Sequence, residues 1–324
     1  MKRGEYRIPV AIFILTFILL AFVQVKLERP ILMAERFLKG AGWIEILVIS
    51  LYGAFVGYKM SDRDNVPRWR TITWTIFSVV FFTQLVLGIS GMDKFLMTGK
   101  LHLPIPMMIV AGPVYRGELS VMTILFLSTV LVTGPAWCSQ LCYFGAFDNL
   151  ASKGKTTRGI LENKVLIKSS FVVLVVTGAI IFRWLSFSHL FATLAAVLFG
   201  IAGILVMIVF STGKKKMVHC TMYCPIGTVV NVIKPVNPFR MYIDKSCTLC
   251  MHCTSYCKYD ALNPADIKKG SPALTCTLCG DCLAGCSHDS IKYKFLRLSP
   301  GKARSLYLVL TITLHASFLA MARI

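Results

Sequence analysis

Seven apolar stretches dominate this chain, at residues 8–25, 43–58, 72–91, 120–137, 169–185, 190–211 and, somewhat shorter, 305–321. Each lies near the roughly 20 residues that an α-helix needs to cross the hydrocarbon core of a bilayer. Hydrophobic residues make up 56% of the 324 and charged residues only 15%, with mean hydropathy +0.67, which excludes a pair of ordinary soluble domains. The first stretch follows MKRGEYR, is longer than a signal-peptide core and lacks a small-x-small cleavage site, so it is expected to remain as a span.

The net charge of +20 does not point to nucleic acid, because the basic residues sit in short clusters between apolar runs. With the N-terminus inside, Arg7, Lys59, Arg63, Arg68, Arg70, Lys153, Lys164 and Lys214 to Lys216 face the cytoplasm, and the opposite loops hold fewer basic residues. The positive-inside bias therefore predicts a multi-pass protein of the cytoplasmic membrane with an inside N-terminus. Six crossings return the chain to the cytoplasm before a hydrophilic insert. The expected division is a transmembrane domain at 1–236, a cytoplasmic insert at 237–296 and a C-terminal span at 297–324. One outer stretch, 101–115, is apolar but too short to span and is broken by Pro104, Pro106 and Pro113, which predicts an interfacial or re-entrant segment.

The insert carries eight of the twelve cysteines, as Cys247, Cys250, Cys253, Cys257 and, 29 residues later, Cys276, Cys279, Cys282, Cys286. Both runs read C-x2-C-x2-C-x3-C. Cysteines this close do not readily bridge one another, and the basic flanks place them on the reducing side. The spacing is that of proteins in which three thiolates of one run and the fourth of the other hold each [4Fe-4S] cube. That assigns Cys247, Cys250, Cys253 and Cys286 to one cluster and Cys276, Cys279, Cys282 and Cys257 to a second. A pair of zinc sites is the alternative, although zinc uses two separated pairs and has no need of four cysteines in one run. The insert resembles the bacterial-type 2[4Fe-4S] ferredoxins, which implies an α+β domain. It departs from them where Lys258 and Ser287 replace the proline that usually follows the fourth cysteine.

The other four cysteines form a repeat. CSQLCYFGAFDN at 138–149 and CTMYCPIGTVVN at 220–231 share C-x3-C-x2-G-x3-N, each shortly after a Thr-Gly, at Thr133-Gly134 and Thr212-Gly213. Duplicated hairpins related by a pseudo-twofold axis would bring Cys138, Cys142, Cys220 and Cys224 into one four-thiolate site at the membrane edge. A third iron-sulfur cluster is the expected occupant, with structural zinc second; the bland reading is small buried residues at helix ends. Apolar hairpins ending in two C-x3-C pairs, followed by a C-x2-C-x2-C-x3-C insert, resemble the polytopic ferredoxins typified by NapH of nitrate-reductase systems, the membrane portion of NosR regulators and the CcoG oxidase-assembly proteins. The resemblance covers roughly residues 119–291, and Tyr143 stands where the second copy has Pro225. It implies an electron-transfer subunit working between the quinone pool or a membrane oxidoreductase complex and a partner. A CcoG-like maturation or regulatory reductase and a structural anchor are the rivals. No nucleophile, general base or phosphate loop argues for bond-making catalysis.

Quinone binding would need an apolar slot with a few protonatable groups. Glu45, His102, Glu118 and His189 are outer-side candidates, and His102 within the broken apolar loop is the foremost. Heme is not expected: of six histidines only His315 lies inside an apolar run.

Overall fold

The computed structural model describes residues 6–27, 30–95, 105–154 and 159–321. In chain order the helices are α1 (Arg7–Lys26), α2 (Met33–Phe37), α3 (Gly42–Ser61), α4 (Val66–Ile89), α5 (Pro106–Arg116), α6 (Val121–Thr133), α7 (Tyr143–Ala151), α8 (Lys164–Trp184), α9 (His189–Val206), α10 (Thr212–Lys214), α11 (Pro225–Ile233), α12 (Pro264–Lys269), α13 (Asp281–Ala284) and α14 (Pro300–Met321). Two strands, β1 (Phe239–Ile243) and β2 (Ile291–Phe295), flank the cysteine-rich insert. Among the described residues seven helices are long and apolar enough to cross a membrane, α6 continuing to Leu141 and α9 to Lys214. Their 20 to 26 residues correspond to roughly 30–39 Å of helix, matching a hydrocarbon core. Helix α5, with 11 residues, reaches only about 16 Å and does not span. Four residues of the broken outer stretch, 101–104, lie outside the described residues.

The chain packs as two units. The first comprises Met1–Pro104, Gln140–Tyr143 and Leu298–Ile324. Its helices α1, α3 and α14 bury Ile12, Val56, Met60, Leu308 and Ile312 together with Val66 of α4, and Leu20, Leu32, Ile46 and Ala320 form a second cluster. Glycine permits the close approach: a Cβ on Gly53 would stand 3.1 Å from Ile12 and 3.4 Å from Ala316, as small residues do at helix crossings in lipid. Outward faces carry exposed Ile18, Phe22, Ile44 and Val48, apolar surface suited to acyl chains.

This unit also grips the short segment 140–143. A helix that breaks leaves carbonyls without intrahelical partners. Here Gln140 O accepts from His315 Nδ1 at 3.2 Å, Cys142 O from the Trp74 indole at 2.6 Å, and Tyr143 O from Ser78 Oγ at 2.9 Å.

The second unit comprises Ile105–Ser139 and Phe144–Arg297. Helices α5, α8, α9 and α11 pack here with α6. The insert is framed by an antiparallel β1–β2 pair in which Phe239 faces Phe295 and Ile243 faces Ile291. Alternation along β1 buries Phe239, Met241 and Ile243 on one face, the period-2 signature of a half-buried strand.

Candidate iron-sulfur sites

The two cysteine runs of the insert fold into matching loops. Leu249 and Leu278 adopt positive φ (57° and 60°), as do Met251 and Gly280 (61° and 85°), and Asp260 and Asp289 (52° and 49°), each pair 29 residues apart. Left-handed backbone at a leucine or methionine costs about 1–2 kcal/mol, so these loops are held against their local preference. Reversing direction between successive cysteines turns the thiols toward a common centre.

Cys253 lies among Cys286, Cys247 and Cys250, and Cys282 lies among Cys279, Cys257 and Cys276. Thus the fourth cysteine of each run is placed with the first three of the other. Cys247, Cys250, Cys253 and Cys286 ring a cavity walled by Ile243, Ile267, Ile291 and His288. The closing cysteines also accept backbone hydrogen bonds, Ala261 N–H to Cys257 Sγ at 3.2 Å and Ser290 N–H to Cys286 Sγ at 3.3 Å. Burial and the neighbouring thiols push Cys253 up to about 11, and burial pushes Cys257 up to about 12. Crowded thiols of this kind ionise only against a multiply positive centre. Soft sulfur donors around a cavity, one of them, Cys286, already accepting an N–H, suit an iron-sulfur cluster. Among the described residues, no three His, Cys, Asp or Glu side chains converge on a single-ion site.

The C-x3-C repeat is equally regular. Cys138 is the second residue of a π-helical turn, Trp137–Leu141, and Cys220 the second of another, His219–Tyr223. Cys142 and Cys224 follow these turns, and each leads into a nine-residue helix, α7 or α11. The wider π turn sets the two cysteines of a pair on either side of a break in the helical ladder. Pro225 opens α11 at a position where its missing N–H goes unused. Tyr143, its counterpart, instead stacks on Phe81 at 3.9 Å between ring centroids. The preceding Thr-Gly pairs are not structural equivalents. Gly134 has φ +64° and ψ −143°, which glycine alone tolerates, with Asn237 Oδ1 2.8 Å from where a Cβ would stand; Gly213 is helical, in open space.

Within the second unit the insert contacts the stretches beside Cys138 and after the first cysteine pair. Tyr259, two residues after Cys257, donates its hydroxyl to the carbonyl of Cys138 at 2.9 Å. Lys258, which takes the place of the usual proline, donates at 3.1 Å to both Asn149 O and Asn149 Oδ1, the asparagine that closes the first repeat motif. Ser139 Oγ donates to Thr277 O at 3.2 Å. Beside this junction Asp260, fully buried, accepts from Lys164 Nζ at 2.7 Å, from Lys216 Nζ, and from Leu161 N at 3.0 Å. Burial pushes its carboxyl up, but the two ammonium groups overcome this and hold it below the usual carboxylate range. Lys234, half-way between sets, donates to Cys276 O at 3.0 Å and Leu274 O at 3.1 Å. Asp148, in α7, accepts from Cys220 N at 2.9 Å, and burial raises it to about 6. From sequence, Lys164 and Lys216 read only as loop charges that set orientation, and Lys258 only as the residue in place of the proline.

His102 lies outside the described residues. His189 opens α9 and meets Tyr115 edge-on at 5.6 Å. Both line an apolar cavity of about 300 Å³ between α5, α8 and α9, whose lining also includes Phe199. Phe199 stacks on Tyr223 at 4.4 Å, and its carbonyl accepts the Tyr223 hydroxyl at 2.8 Å. Tyr223 is adjacent in sequence to Cys224. Glu45 is occupied by Ala34 N at 2.7 Å, and Glu118 borders a shallow groove with Arg183. His315 engages Tyr52 Oη at 3.1 Å and Gln140 O at 3.2 Å through its two nitrogens.

Two segments, residues 117–161 and 193–236, match a family model described as a 4Fe-4S binding domain. Each contains a cysteine pair with its π-helical turn and the following nine-residue helix, and the second also contains the π-helical turn Met207–Ser211. No curated protein and no solved structure matches the chain. A 4Fe-4S binding domain combined with seven membrane-capable helices fits a multi-pass membrane ferredoxin.

Proposed function

We propose that this chain is a membrane electron-transfer subunit that relays electrons between a quinone, or the redox centre of a membrane partner, and a partner on the cytoplasmic side. The ligands are Cys247, Cys250, Cys253 and Cys286 for one cluster, Cys276, Cys279, Cys282 and Cys257 for a second, and Cys138, Cys142, Cys220 and Cys224 for a third. The single observation that carries the reading is the Tyr259 hydroxyl on the Cys138 carbonyl, which keeps the two cysteine sets in contact. Iron-sulfur clusters supply one-electron transfer, and the protein contributes spacing and potential.

The membrane end of the route is supported by the cavity between α5, α8 and α9. Its size falls within the usual range for small-molecule sites, and it combines apolar walls with His189, Tyr115 and Thr193. Phe199 in its lining stacks on Tyr223, the residue before Cys224, which supports a quinone site near the C-x3-C cysteines rather than one separated from them by roughly 30 Å of hydrocarbon. The basic loops favour an orientation with the N-terminus and insert in the cytoplasm.

Purification in mild detergent with associated subunits is the test. Stoichiometric recovery with a catalytic oxidoreductase, iron and acid-labile sulfide for three clusters, and reduction of the bound iron by a quinol analogue are expected. A colourless, zinc-containing protein would overturn the proposal, and a solitary iron-loaded one would favour a maturation reductase.

A further inference from the structure

Lys168 occupies an unusual place. It is the fifth residue of α8, in a membrane-capable helix, and only 5% exposed. Its ammonium lies against the Cα of Gly227, the glycine of the second C-x3-C-x2-G motif, so that any side chain there would collide with it. A Cβ on Gly227 would also approach Cys220 O at 3.2 Å. The lysine carbonyl accepts Thr228 Oγ1 at 3.2 Å, fixing α8 against α11 at this level. Within its unit the ammonium couples to the thiols of Cys138, Cys224 and Cys220, and also to the cationic Lys234 and to His219. The motif glycine, which spacing alone leaves unexplained, is thus the space that the lysine fills.

A buried ammonium at the edge of an apolar helix bundle is expensive unless an anion compensates it. We propose that Lys168 is the counter-cation of the C-x3-C cluster and raises its reduction potential relative to the same site without the charge. This rests on the reading that these cysteines hold an iron-sulfur cluster. A cluster ligated by four thiolates is anionic and becomes more so on reduction, and burial among apolar side chains disfavours the added electron. A fixed positive charge beside the thiolates favours the reduced form more than the oxidised one, which moves the potential upward. Lys168 is a positioning and tuning residue here; no proton or bond is assigned to it.

The experiment is a redox titration of the purified full-length chain, followed by electron paramagnetic resonance, for native protein and the variants Lys168→Met, Lys168→Gln and Lys168→Arg, with iron measured on each. Expected is a negative shift in the midpoint of one centre in the Met and Gln variants, near-native behaviour with Arg, and no movement of the two insert clusters. If Met and Gln fail to retain that centre while Arg does, a charge requirement is equally supported. Unchanged midpoints at native iron content in all variants would overturn the proposal, and so would loss of the centre in all three alike, since shape rather than charge would then matter. Native protein with iron for two clusters only would instead overturn the cluster reading itself.

Discussion

Replacing Asp260 by Asn isolates the most heavily buried charge at the junction of the cysteine sets. The carboxylate has no exposed side-chain surface, while Lys216 and Lys164 are 4% and 12% exposed. Asn keeps the shape and can still accept from Leu161 N, so the change removes charge rather than packing. Breaking a buried ion pair by removing one partner costs about 3–5 kcal/mol, because the remaining charge stays desolvated. Both ammonium groups keep a backbone acceptor, Gly159 O for Lys216 and the residue-260 carbonyl for Lys164, which favours the lower half of that range. At about 1.4 kcal/mol per decade, 3 kcal/mol is an increase of roughly 100-fold in local opening. Hydrogen exchange of the 261–273 region, where Ala273 N bonds Ala261 O, reads this directly at neutral pH. Adding Lys216→Met to Asp260→Asn should recover much of the protection, since it withdraws a stranded charge. The sign with pH follows: the folded carboxyl titrates below its unfolded value, so its contribution is full above the ordinary carboxylate range and fades as pH falls through the folded value. Native and variant should therefore converge only once the pH has fallen below the folded value, itself beneath the ordinary carboxylate range. Exchange within threefold of native at pH 7 would refute the reasoning.

Four other outcomes follow from the geometry. Cys257→Ala should abolish the same spectroscopic centre as Cys276→Ala, and Cys286→Ala the same one as Cys247→Ala; pairing by run instead would disprove the cross-assignment. Gly134→Ala, at positive φ against Asn237, should cost about 1–3 kcal/mol, whereas Gly213→Ala in open helix should be neutral or stabilising by up to about 1 kcal/mol, both measured by thermal unfolding in detergent. Tyr259→Phe should cost about 1 kcal/mol by the same assay with iron content unchanged. Trp74→Phe, which removes the indole hydrogen bond to Cys142 O, should cost about 1 kcal/mol by the same assay; no change in unfolding temperature would show that this bond does not contribute.

Much of this was legible in the sequence because two signals are local. Apolar runs of membrane length give the seven candidate helices, and their ends differ from expectation mainly where a helix runs on into a π turn, as α6 does to Leu141. Cysteine spacing gives the insert loops, since two intervening residues leave few ways for neighbouring thiols to share a centre. The C-x3-C duplication also reads directly, although it does not give the two nine-residue helices that follow the pairs, and the preceding Thr-Gly pairs prove unequal. The lysines were not legible. Lys164, Lys168 and Lys216 look like ordinary loop charges, because burial is set by partners 40 to 100 residues away, such as Asp260, which no local pattern couples. The cavity behind His189 was likewise hidden, being formed by three helices of which only one face each contributes.

The hydroxyl of Tyr259 on Cys138 and the ammonium of Lys258 on Asn149 also bear on how such a protein would handle traffic. A freely diffusing carrier spends most of its cycle searching for its next docking site. On the proposed function, a carrier tied to its own redox neighbour skips that search, so internal transfer should be indifferent to solvent viscosity, and only exchange with the separate partner should slow when glycerol is added.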